Sequence, residues 1–171
     1  GTRFGYSKDG KLGYNKGFRG IKGAKLEGGH RVPFFIHWPA KNIQGGKDID
    51  LLTAHVDLIP TLMGLFGLEV ADEWEWDGID ISEVLLGETE DMPDRSVFVH
   101  HRQDWRPPER TLQSCILYQD WRLINGKALF DISQDPLQQH NLALEQPELI
   151  EKLFQQNHAF LAQSATRTEY Q

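Results

Sequence analysis

The sequence predicts an α/β chain built in two styles. Residues 1–100 read as a loop, a buried strand, a helix and a further strand, and residues 101–171 as a small antiparallel sheet packed by a C-terminal helix. Three observations predict this. The run Val32-Pro33-Phe34-Phe35-Ile36 is continuously apolar, the pattern of a strand covered on both faces as in parallel sheets. Three short apolar runs lie between 113 and 132, two of them joined by Asn125-Gly126, a two-residue hairpin turn. From Pro147 onward, Leu149, Ile150, Leu153, Phe154, Phe160 and Leu161 recur along one helical face.

Taken in order, residues 1–30 hold nine glycines, and no amphipathic period survives that density, so this stretch reads as an extended loop. Residues 31–38 read as a buried strand, with Pro33 near its start and Pro39 ending it. Residues 53–66 read as a helix capped by Asp57, with Pro60 in the first turn and Gly67 as the terminating residue. Residues 77–88 give a turn and one or two helical turns capped by Ser82. The alternating Ser-Val-Phe-Val-His of 96–100 reads as a strand, and Ser-Cys-Ile-Leu-Tyr, Trp-Arg-Leu-Ile-Asn and Lys-Ala-Leu-Phe-Asp-Ile as three more.

Composition narrows the function classes. Apolar residues make up 39% of the 171, enough for a core. The net charge of −7 argues against a general affinity for nucleic acid or an anionic membrane. No apolar run approaches the roughly 18 residues of a membrane span. The positive charge is concentrated at the start: residues 1–31 hold eight Lys or Arg against Asp9 and Glu27. The single cysteine, Cys115, sits in an apolar strand-like run, so it reads as a buried structural thiol rather than a nucleophile.

The motifs then resemble a known family. Lys22-Gly23, Glu27-Gly28-Gly29, Arg31-Val32-Pro33 and Trp38-Pro39 fall in register with the second signature region of the type I, formylglycine-dependent sulfatases of the alkaline-phosphatase-like superfamily. Residues 55–69 resemble the helix that follows there. Phe130-Asp131, Asp135-Pro136 and Asn141-Leu142 resemble the family's C-terminal hairpin. The resemblance implies that residues 1–100 are the last portion of a sulfatase catalytic domain, completing the edge of its large sheet, and that 101–171 are its C-terminal subdomain. The family's Cys-x-Pro-x-Arg nucleophile and Asp-Asp metal ligands are absent, and Gly1-Thr2 matches what often follows its last metal pair, Asp-Asn. Calcium or magnesium and formylglycine are therefore expected in a parent enzyme and not on this chain.

What the resemblance implies for chemistry centres on Lys22, which stands where the family keeps a lysine on the sulfate and the leaving oxygen. Glycines around it bring backbone close to the sulfate, and the strand after it fixes the loop. Lys25 is expected to be exposed, and Glu27 to satisfy backbone amides or pair with Arg31. His30 either lines the pocket mouth or packs as an ordinary polar residue. His100, His101 and Arg102 either read polar groups of the substrate or form an ordinary strand end. The expected partners are a sulfated small molecule or glycan, the remaining N-terminal part of the sulfatase, and a second copy through an exposed sheet edge. The family resemblance favours a periplasmic or secreted setting. A phosphonate or phosphodiester hydrolase of the same superfamily is the alternative enzyme class, and a non-catalytic binding module the alternative outside enzymes.

Overall fold

The computed structural model describes residues 15–69, 75–100 and 114–168, with side chains to 163. The chain forms two compact units. One comprises Gly1–Val32 with Arg95–Gln171, the other Pro33–Asp94.

The first unit is built on a four-stranded antiparallel sheet in chain order: β1 (Ser96–His100), β2 (Ser114–Tyr118), β3 (Trp121–Ile124) and β4 (Ala128–Asp131). Asn125 and Gly126 have φ of 52° and 65°, the left-handed pair that a tight hairpin turn demands, so the sequence expectation holds here. Side chains alternate across a sheet, and the register therefore sorts them by face. One face carries Phe98, Ile116, Leu123 and Leu129. Helix α4 (Pro147–Thr168) covers it. Leu153 of α4 is fully buried in the core with Ile116, Tyr118, Leu123 and Leu129. The Ser96 hydroxyl donates to Gln156 Oε1 at 2.6 Å and Lys152 Nζ to the Tyr118 hydroxyl at 2.8 Å, fixing the helix along the sheet.

The other face carries Val97, Cys115, Leu117, Arg122 and Phe130. All five residues of β2 are buried, so this face is covered too. Its cover is the segment that precedes Val32, described below. After β4 the chain is held back onto the sheet by Asn141, whose side-chain oxygen accepts the Leu129 N–H at 2.9 Å, while the Leu142 N–H donates to the Leu129 carbonyl at 2.8 Å.

In the second unit, a 3₁₀ turn (His55–Asp57) leads into α2 (Leu58–Phe66), and α3 (Ser82–Leu86) packs beside it. Two expected caps are revised. Asp57 does not cap α2 with its side chain. Its carboxylate reaches back to the Ala54 N–H at 2.7 Å and across to the Ile79 N–H at 3.0 Å, tying the helix entry to the turn before α3. Ser82 is buried at the first position of α3, and the carboxylate of Asp80 accepts its N–H at 2.7 Å. Gly67 ends α2 as expected, with φ of 66°, and Gly87 ends α3 in the same way, with φ of 79°.

The expected buried strand over 31–38 is not formed. Among the described residues its only pairing is the bridge of Trp38 to Ile43, which closes a tight turn through Pro39–Lys41. Val32, Phe34 and Phe35 are 66%, 55% and 91% exposed. A strand is defined by the neighbour it pairs with, and the described residues supply none for this run.

Candidate functional site

Of the residues singled out by sequence, Lys22, Lys25, Glu27 and His30 lie on one loop and the short helical turn that ends it. Residues 21–24 form a turn closed by the Ala24 N–H donating to the Ile21 carbonyl at 2.7 Å. Gly23, with φ of 88°, takes the left-handed position the turn requires. Lys22 thus projects from the turn's tip; its side chain is exposed and makes no hydrogen bond or ion pair among the described residues.

The turn rests on α1 (Glu27–His30), a single helical turn. Its two glycines are required by space. A Cβ on Gly28 would meet the carbonyl oxygens of Gly20, Phe18 and Arg19, and one on Gly29 would collide with the Ala24 backbone. The Gly28 N–H donates to the Arg19 carbonyl at 2.9 Å. The glycine pair therefore lets the loop fold against its own helical turn.

Glu27 then fastens this assembly to the sheet. It is 1% exposed. Its carboxylate accepts from Arg122 Nε on β3 at 2.7 Å and from Arg31 Nη1 at 3.3 Å. Gln138, fully buried, accepts the Glu27 backbone N–H on its Oε1 at 2.9 Å, and its carbonyl accepts from Arg19 Nη1 at 2.7 Å. Arg122 also donates from Nη1 to the carbonyls of Gln119 and Trp121. The guanidinium of Arg31 lies 5.0 Å from the centre of the Phe18 ring, clamping the start of the loop. Carboxylate and guanidinium are both desolvated, and the surrounding hydrogen bonds are what make such a pair tolerable.

The expectation of Glu27 paired with Arg31 is met; Arg122 and Gln138 are its added partners. Lys25 is partly buried rather than exposed. It lies close enough to Cys115 to oppose the rise that burial causes in that thiol, which is pushed up to about 12. His30 packs in the same cluster, its Nε2 3.5 Å from Glu27 Oε1. Burial lowers its pKa, helped by Arg122 and Arg31 and opposed by Glu27. His100 stands elsewhere. It shares the α4 face with Phe98, and its ring lies parallel to that of Phe160 with centroids 5.9 Å apart. Burial lowers its pKa as well. The Lys22 loop covers the opposite face, so the sheet does not bring His100 to Lys22. His101 and Arg102 lie outside the described residues.

Residues 6–68 match the family model for sulfatases. Arylsulfatase G of Mus musculus is 32% identical over 116 residues, 67% of this chain and 22% of that protein. The chain belongs with the sulfatases. Steryl-sulfatase of Homo sapiens is 36% identical over 78 residues, 46% of this chain and 13% of that protein. The chain thus spans about a fifth of the length of arylsulfatase G. Among solved structures, a protein of glycosaminoglycan metabolism in Bacteroides thetaiotaomicron superposes with a TM-score of 0.67 at 20% identity, over 85% of this chain and 32% of that one. A second, Ps i-CgsB in complex with k-i-k-neocarrahexaose, gives 0.69 at 23% identity, over 83% and 31%. These two likenesses establish the alkaline-phosphatase-like fold that the motifs implied.

Among the described residues, no group of three or more His, Cys, Asp or Glu side chains is placed to hold a metal ion. Cys115 is fully buried with its pKa raised, and no Pro or Arg follows it in the nucleophile's pattern, so it does not fit the formylglycine precursor.

Proposed function

We propose that this chain is the C-terminal part of a sulfatase that hydrolyses sulfate esters, and that Lys22 is its contribution to the chemistry. The supporting observation is the contrast within the loop: the Lys22 ammonium is exposed and unengaged among the described residues, while the backbone five residues on is locked into the sheet through Glu27. In ester hydrolysis the sulfur–oxygen bond to the leaving group breaks and negative charge grows on that oxygen. A cation fixed beforehand at that position stabilises the transition state more than the ground state. In the parent enzyme formylglycine would supply the nucleophile and a divalent metal would neutralise sulfate charge; among the described residues no side chains are grouped to hold that metal, and Cys115 does not fit the nucleophile. A sulfated glycan or aryl or alkyl sulfate is the substrate class, with the remainder of the polypeptide as the partner that carries the nucleophile.

The test uses the full-length enzyme and an aryl sulfate. Lys22→Ala is expected to lower kcat on the order of 10²–10³-fold, the loss typical of one preorganised donor. Lys22→Arg rescues poorly, because a planar guanidinium does not occupy the same point. Lys25→Ala changes kcat by less than about tenfold. Near-normal turnover in Lys22→Ala, or a preference for phosphonate over sulfate esters in the parent enzyme, overturns the reading.

A further inference from the structure

Nothing in the family resemblance pointed to Arg122, Gln138 or Arg19, yet these three hold the Lys22 loop on the sheet. Glu27 reaches Arg122 across 95 positions of sequence, and its N–H reaches Gln138 across 111. The loop has no regular structure of its own between Asn15 and Leu26, so its shape rests on a few points of attachment. Asn15 shapes the entry, its Nδ2 donating to the Phe18 carbonyl at 2.7 Å. Arg19 pins the outward leg to Gln138. Glu27 pins the return leg to Arg122 and Gln138. Lys22 lies between the two legs, three residues after one pin and five before the other.

We propose that Arg122 and Gln138, with Arg19, are positioning residues for Lys22, so that the small C-terminal sheet sets the place of a catalytic cation it does not itself carry. The inference rests on the role given to Lys22 above. The geometry gives it a specific form. Arg122 uses Nε for Glu27 and Nη1 for the Gln119 and Trp121 carbonyls at the β2–β3 turn, so one guanidinium ties loop carboxylate and strand backbone together. A lysine at this position supplies the charge without that fork. Gln138 works from both ends, its side chain on Glu27 and its carbonyl on Arg19. A displaced loop moves the Lys22 ammonium off the leaving oxygen, and a misplacement of about 1 Å costs on the order of a hundredfold.

The experiment is a double-mutant cycle in the full-length enzyme, with kcat for an aryl sulfate referred to folded enzyme. Arg122→Met is expected to lower kcat by about tenfold to a hundredfold. Arg122→Lys should restore part of that loss. In a Lys22→Ala background Arg122→Met should add less than about threefold, because residues that act through one another are non-additive. An equal loss in both backgrounds, or unchanged turnover in Arg122→Met, overturns the positioning role and leaves the sulfatase reading intact. Normal turnover in Lys22→Ala overturns both. If Arg122→Met does not fold, the same cycle with Arg19→Met decides, since Arg19 is exposed and, among the described residues, its side chain makes only the bond to the Gln138 carbonyl. The same outcomes then support or overturn the proposal.

Discussion

Glu27 and Phe35 are eight residues apart and reverse the ordinary order of burial. The carboxylate is 1% exposed and the phenyl ring 91%. Charge is costly to bury and a phenylalanine is favourable to bury, so each residue's surroundings, not its type, explain the outcome. Glu27 finds Arg122, Arg31 and Gln138 within its own compact unit. Phe35 belongs to the other unit, which begins at Pro33, in a run that pairs with no strand among the described residues. A carboxylate carried into the interior by its partners and an aromatic left out for want of them show that the loop is locally complete and the run after it is not.

The largest effect expected from breaking this contrast is at the buried pair. In the full-length enzyme Glu27→Ala strands the Arg122 guanidinium without its counter-charge, and breaking a buried pair on one side costs about 3–5 kcal/mol. Arg122→Met should cost a similar amount. The double variant Glu27→Leu/Arg122→Met should recover much of the loss, because an apolar pair needs no charge partner. Denaturant melts of the three variants check this; a double variant as unstable as the sum of the singles would show that the pair is not the anchor.

Phe35 sharpens the other side. In the 171-residue chain, Phe35→Ser should change stability by no more than about 0.5 kcal/mol, as at any exposed position. It should instead reduce self-association, which an unpaired apolar run promotes. In the full-length enzyme the same change should cost about 1.5–3 kcal/mol, the transfer energy of one large apolar side chain, if the remaining sheet covers this run. Sedimentation of the short chain and melts of the long one separate the two. Equal, negligible effects in both would leave Phe35 exposed in the whole enzyme.

What the sequence could reveal follows the same division. The hairpin at Asn125-Gly126, the strand of 96–100 and the helix from Pro147 were legible because the signals are local: a turn dipeptide, an alternation, a helical repeat. The run 31–38 misled for a physical reason. Its apolarity records a strand-like environment, but a ladder needs a partner that local pattern does not contain. The site was half legible. Glu27 with its glycines and Lys22 stood out by motif, whereas Arg122 looked like an ordinary strand residue in Trp-Arg-Leu-Ile. One signal was available: Arg122 is the sole charge in β3, directly opposite the apolar Leu117 and Phe130, and such a charge demands a buried counter-ion. Gln138, in a polar stretch after Asp135-Pro136, offered no signal at all.

The smallest expected effect concerns pH, through His30 at the edge of the same anchor. Burial is the main cause that holds its pKa below the ordinary 6.5, with Arg122 and Arg31 adding to it and Glu27 opposing. In the unfolded chain the imidazole takes up its proton at the ordinary value; in the folded protein it does so only at lower pH. The unfolded state therefore binds more protons in that window, and stability rises with pH across it. The contribution is complete above about 6.5 and is lost as the pH falls through the folded value. His100, also lowered by burial, adds a share of the same sign. His30→Gln, which keeps a neutral polar side chain, should flatten part of this slope and leave stability above pH 7 nearly unchanged; His100→Gln should flatten the rest. Denaturant midpoints between about pH 5 and 8, the range in which an unperturbed histidine changes charge, make the comparison. An unaltered slope in the double variant His30→Gln/His100→Gln would mean that other groups carry the pH dependence and that the anchor's polarity is indifferent to this imidazole.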